Sequence, residues 1–199
     1  MIIKNGNVLL PSGELVRNNV LVRNRRIHDV GLELESETQI DAAGGYVLPG
    51  LIDLHTHAVH TVSVETGSLA EYAKIEASHG TTTFYPTLFS RPEENARYME
   101  RHRRETDELR QLPQVGGFRL ESPYLAIASG GAASALAPIS PETTQRLLAA
   151  GNGHVKIWDV SPELEGVTEL IQQLSGEGIV FSIAHTQATI AQGLAAVDA

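Results

Sequence analysis

Apolar positions along the first 46 residues come in short runs: MIIKNGNVLL, NNVLVRNRRIHDVG and TQIDAAGGYVLPG, the last extending to Gly50. They are rich in Val, Ile and Leu and broken by Asn, Gly and Pro, which is the signature of strands and turns. The stretches PSGE and VRNRRI have the composition of hairpin turns. Residues 1–46 are therefore expected to form a small β-module, and no chemistry is evident in it.

From Val47 the rhythm changes to apolar strands alternating with amphipathic helices. YVLPGLIDLHTH precedes a helix over SLAEYAKIEASHG, with Gly80 placed to cap it. TTTFYPTLF precedes the charged helix PEENARYMERHRRETDELR, with Pro92 near its start. GGFRLESPYL leads through an Ala/Gly-rich loop to SPETTQRLLAAG, where Ser140 is the N-cap and Pro141 opens the first turn. HVKIWDVSPE precedes GVTELIQQLSGEG, and IVFSIAHTQAT precedes TIAQGLAAVDA. Residues 47–199 thus read as five βα units, the pattern of a parallel sheet or barrel. A closed (β/α)8 barrel takes about 250 residues. The fold expected is α/β: a partial TIM-type barrel of about five units behind a β-rich module, with an open doubly wound sheet as the alternative.

Composition narrows the class. An apolar content of 42% and a charged content of 20% suit a globular protein. The formal charge of −9 argues against a nucleic-acid partner. No run is apolar and long enough to span a bilayer, and the N-terminus lacks a signal-peptide layout. These features point to a cytoplasmic protein with no membrane partner. With no cysteine, any metal must be held by His and carboxylates.

In parallel α/β proteins functional side chains gather at the C-terminal ends of the strands. His55 and His57 end the first barrel strand, and their i, i+2 spacing turns both rings to one face. Glu121 ends the third and His185 the fifth. Taken singly, each could be a polar residue at a strand end, and Glu121 could pair with Arg119. Together at one edge they point to a divalent metal centre. His60, in the following loop, is expected to be exposed. His28, His79, His102 and His154 receive no function. Lys156 sits too early in its strand to bridge two metals and reads as an ion-pair or snorkelling residue. Asp159 and Glu163 are weaker candidates for supporting or capping roles.

The ordered stretches VLPGLIDLHTH, HGTTTFYPTL, LESPYL and SIAHTQAT, with WDVSPEL on the fourth strand, resemble the N-acetylglucosamine-6-phosphate deacetylases of the amidohydrolase superfamily. The resemblance covers essentially the whole chain and about the N-terminal half to two-thirds of the family's length. It implies hydrolysis of the acetamide of N-acetylglucosamine 6-phosphate to glucosamine 6-phosphate and acetate. It also implies one or two divalent ions, zinc first and iron or another ion as alternatives, with Glu121 and His185 as principal ligands and His55 and His57 as further ones. Metal-assisted attack of water on the amide would be paired with an aspartate that passes a proton to the leaving amine. That aspartate, a sixth-strand His and a phosphate-binding Arg would fall beyond Ala199. Ala132 aligns with a substrate-contacting loop position, and the neighbouring Ala133 lacks the family's polar group. Ser122 stands where the family has Gly, and AVHTVSVETG replaces a glycine-rich loop. The full-length form is expected to be a homo-oligomer. Another amidohydrolase, acting on a cyclic amide or an N-acyl amino acid, and an inactive metal-binding fragment remain the competing expectations.

Overall fold

The computed structural model describes all 199 residues. Contacts divide them into two compact units, Met1–Gly50 and Leu51–Ala199.

The first unit is built on β1 (Ile2–Leu9), β2 (Leu15–Arg23), β3 (Arg26–Gly31), β4 (Gln39–Asp41) and β5 (Tyr46–Val47). β1, β2 and β3 form an antiparallel meander, and β4 and β5 join β1 in parallel at successive positions along it. Both hairpin turns form where expected. Asn24 and Arg25, between β2 and β3, have φ of 50° and 61°. A two-residue loop with both residues left-handed has the twist that antiparallel strands require, and Asn tolerates that region. Ile2, Val8, Val20 and Leu21 are the buried apolar residues of this unit.

The strand expected from Tyr46 is divided. Tyr46–Val47 pairs with β1, and the first barrel strand, β6 (Leu51–Thr56), begins after Gly50. Pro49 explains the break, because it donates no backbone N–H and restricts the residue before it.

In the second unit β6 is followed by a small hairpin, β7 (Ala58–Val59) and β8 (Val62–Ser63), and by α1 (Leu69–Ser78). Four more units follow: β9 (Thr81–Leu88) with α2 (Pro92–Glu105), β10 (Phe118–Leu120) with α3 (Pro141–Gly151), β11 (Val155–Val160) with α4 (Val167–Ser175), and β12 (Val180–Ile183) with α5 (Ile190–Val197). The five strands are parallel and lie in chain order, β6-β9-β10-β11-β12. A doubly wound sheet would reverse its order at a switch point. The strand order is that of a sector of a TIM barrel, α/β as expected.

Helices α1 to α4 bury one face against this sheet. Tyr72 of α1 stacks on Phe84 of β9 with ring centres 5.3 Å apart, and Tyr124 stacks on Trp158 of β11 at the same separation. Such pairs contribute about 0.5–1.5 kcal/mol beyond the area they bury. Ser140 caps α3 by accepting from the Thr143 N–H at 3.2 Å, and Pro141 opens the helix. The helix expected to run to Arg110 stops at Glu105. The Thr106 hydroxyl turns back to the His102 carbonyl, and Asp107, Glu108 and Leu109 are all left-handed. A side chain that competes for the helix's own carbonyls ends it without a glycine. The strands at the two sides of the sheet expose apolar residues: Leu51, Ile52 and Leu54 on β6, Val180 and Ile183 on β12, with Ile190, Leu194 and Val197 on α5. No helix is long and apolar enough to cross a membrane.

Candidate metal centre

Strand alternation builds the site. Along the end of β6, Thr56 turns to the helix side, where its hydroxyl meets that of Tyr72. His55 and His57 turn the other way, and their Nε2 atoms are 3.0 Å apart. Glu121, directly after β10, reaches both: its Oε2 is 3.2 Å from His55 Nε2 and 2.7 Å from His57 Nε2. Its Oε1 lies 2.8 Å from Nε2 of His185, which follows β12. Three strand ends therefore converge on one carboxylate. Glu121 is almost fully buried, whereas His55 and His57 are about two-fifths exposed (39% and 44%).

The tautomers follow from the outer contacts. His57 Nδ1 lies 3.1 Å from the Thr87 carbonyl, and His185 Nδ1 lies 3.1 Å from the Ile127 carbonyl. A carbonyl only accepts, so both rings carry a proton on Nδ1. In the neutral rings Nε2 is then a bare lone pair, aimed at a carboxylate that also only accepts. Glu121 Oε2, although buried and beside two imidazoles, receives no hydrogen bond while both rings are neutral. A cluster of facing acceptors is held together either by protonating a ring or by a cation. Burial pushes the Glu121 carboxyl up, yet the His57 hydrogen bond and the His55 and His57 charges outweigh it and hold the group at about 2. The Glu121 hydrogen bond raises His57, while burial lowers His55. The ligand atoms of His55, His57 and Glu121 all lie within 4.8 Å of one another, so these residues fit a divalent ion.

Several residues that support the centre carry no motif. Ser161, after β11, accepts from the Ala126 N–H at 2.8 Å and lies 2.9 Å from the Ala184 carbonyl, joining the loop before His185 to the loop after Glu121. Glu163 accepts from the Thr186 hydroxyl and the Gln187 N–H, a supporting role of the kind expected for it. His185 itself is left-handed, with φ of 48°, a conformation that clusters at functional sites. Ser122 is accommodated by a buried link: it donates to the Ser90 carbonyl at 2.8 Å and accepts from Asn95 at 3.0 Å.

Arg119 does not pair with Glu121. It forms a two-pronged ion pair with Asp159, at 2.9 and 2.6 Å. Lys156 is the second residue of β11 and packs over Gly117, just before β10, at the opposite end of these strands from Glu121.

A cavity of about 440 Å³ opens at the centre, lined by His57, Glu65, Phe89, Glu121, Gly131 and His185 among others. Gly131 presses on the Phe89 ring so closely that a Cβ there would overlap it. Ala132 is the next residue and is exposed.

No family model matches the chain. An N-acetylglucosamine-6-phosphate deacetylase of Lysinibacillus sphaericus is 25% identical over an alignment, gaps included, of 213 positions, covering 100% of this chain and 53% of that protein. The crystal structure of N-acetyl-D-glucosamine-6-phosphate deacetylase from Mycobacterium smegmatis superposes with a TM-score of 0.83 at 28% identity, covering 100% of this chain and 57% of that one. A variant of that enzyme in complex with N-acetyl-D-glucosamine-6-phosphate gives 0.82 at 26% identity, covering 100% and 53%. The chain thus spans about half the length of the relatives it matches. Its strand order, its His55–His57–Glu121 group and this full-length alignment agree: the chain is an N-acetylglucosamine-6-phosphate deacetylase-like amidohydrolase covering about half of the family's length.

Proposed function

We propose that these residues form the metal-binding half of a hydrolase that removes the acetyl group of N-acetylglucosamine 6-phosphate. The observation that carries this is the convergence of His55, His57 and His185 on Glu121 from three strand ends. The relative crystallised with N-acetyl-D-glucosamine-6-phosphate supports the choice of substrate.

A divalent ion, zinc foremost, would be held by Glu121 and His185 with His55 and His57, and would supply Lewis acidity and a lowered water pKa. The chain's own groups do the rest of what falls to this half. The Thr87 and Ile127 carbonyls hold the rings in the tautomer that presents Nε2. Phe89 and Gly131 wall the cavity. Turnover is assigned to the whole protein, because the chain spans about half the length of the relatives it matches, and an aspartate from another barrel strand would pass the proton to the leaving amine.

The Lys156 position speaks against a two-metal centre bridged by a modified lysine. The test is the content of zinc and iron in the purified chain, read together with chelator-sensitive acetate release from N-acetylglucosamine 6-phosphate by the whole protein. A chain that retains no divalent ion, or a whole protein that hydrolyses only cyclic amides, would overturn the proposal.

A further inference from the structure

A second pair of imidazoles meets head-on elsewhere in the barrel unit. His60 Nε2 and His79 Nε2 are 3.3 Å apart, with ring centres at 5.6 Å and planes tilted by 42°. Both side chains are exposed. We propose that His60 and His79 form a second, surface site for a divalent transition-metal ion such as zinc, one that ties the β7–β8 hairpin to the C-terminal end of α1.

The spacing is the first argument. Tetrahedral zinc with Zn–N bonds of about 2.0–2.1 Å separates two nitrogens by about 3.3–3.4 Å. A hydrogen bond at 3.3 Å would need one ring to carry its proton on Nε2 and the other to leave Nε2 bare, whereas a cation is held by two bare Nε2 atoms. Head-on contact of two Nε2 atoms otherwise occurs in this structure at His55 and His57, in the centre already described.

The backbone is the second. His60 is the first residue of the two-residue turn between Val59 and Val62, and its φ is 54°. Glycine or asparagine suits such a position, because a left-handed residue with a larger side chain is strained. A ligand at that turn gives the strain a function.

The third argument is the helix. His79 is the C-cap of α1, and the last turn carries no basic residue. The carbonyl end of a helix favours a cation beside it. Water would complete the coordination, since both rings face solvent. The hairpin so fixed carries Ala58 and Ser63 at the rim of the cavity beside Glu121. An ion on the surface would therefore hold one wall of the main site in place.

The experiment is a zinc titration of the chelator-stripped chain by calorimetry, with His60→Gly and His79→Gln measured alongside. The parent should bind one more zinc ion than either variant, or bind its weaker ion at least roughly tenfold more tightly, since even groups outside the first shell are worth that much. Zinc should also raise the melting temperature of the parent more than that of the variants. Without zinc, His60→Gly should melt no lower than the parent, because glycine relieves the left-handed turn. Equal zinc stoichiometry and affinity in all three proteins would overturn the proposal, whatever the occupancy of the Glu121 centre.

Discussion

Arg119 and Asp159 form an ion pair inside the half-barrel, two residues before Glu121 on β10 and so on the same face of that strand. Asp159 is completely buried, and Arg119 also donates to the Leu54 carbonyl at 3.0 Å and to the Ser182 hydroxyl at 3.2 Å. One guanidinium thus joins groups from β6, β10, β11 and β12. Removing a partner from a buried pair leaves an uncompensated charge, at a cost of about 3–5 kcal/mol. Asp159→Ala should lower the urea midpoint accordingly, and Arg119→Met combined with Asp159→Leu should recover much of the loss. An unchanged midpoint in Asp159→Ala would show that the pair is energetically idle.

Glu121 supplies the negative charge on which the three imidazoles converge. Glu121→Gln keeps the shape and removes that charge. Metal content at this centre, measured by elemental analysis after dialysis, should fall at least roughly tenfold, by the same standard as loss of an outer partner. Retention of the ion by this variant would remove Glu121 from the ligand set.

His102 offers a pH readout away from the metal centre. It is fully buried, its Nε2 donates to the Val64 carbonyl at 2.6 Å, and its Nδ1 has no partner. Burial, opposed only in part by that hydrogen bond, lowers its pKa from 6.5 to about 4. In the unfolded chain the ring takes a proton near pH 6.5, while in the folded chain it stays neutral to about pH 4. The unfolded state therefore binds more protons in that window. The stability associated with His102 is present above pH 6.5 and is lost as pH falls toward 4, by on the order of 3 kcal/mol. The slope of unfolding free energy against pH should flatten over this range in His102→Gln.

The two sides of the sheet predict the behaviour of the isolated chain. Leu51, Ile52 and Leu54 on β6, with Val180 and Ile183 on β12, leave apolar surface and unpaired strand edges in water. Edges of this kind recruit other chains. Size-exclusion chromatography of the 199-residue chain should show self-association, and the same material should release no acetate from N-acetylglucosamine 6-phosphate. A monomer that turns over this substrate would place the proton donor within these residues.

Much of this was legible in the chain, for a reason visible at particular positions. His55, His57, Glu121 and His185 each follow an apolar run, and parallel strands bring their ends together whatever the loops do. The partner of Arg119 was not legible, because its choice between Glu121 and Asp159 depends on which residues share a face across two strands. The end of α2 was hidden for a similar reason. Thr106 competes locally for a helix carbonyl in a stretch whose composition remains helical. His60 and His79 lie 19 positions apart on a turn and a helix end, and no periodicity links them. The outer carbonyls of Thr87 and Ile127 leave no trace in the residue names at all, since every residue has one.

Gly131 and Phe89 also constrain how this cavity can change. The ring of Phe89 lies 6.1 Å from that of His185, and the absent side chain of Gly131 is the space the ring occupies. The two positions cannot be altered independently. A methyl group added at 131 has to displace the ring, which stands beside His185. Gly131→Ala should therefore weaken metal binding from a position with no side chain of its own, and Phe89→Leu in the same chain should restore it. Reshaping this wall would thus take coordinated replacement at both positions, a two-step route whose first step on the glycine side is the damaging one.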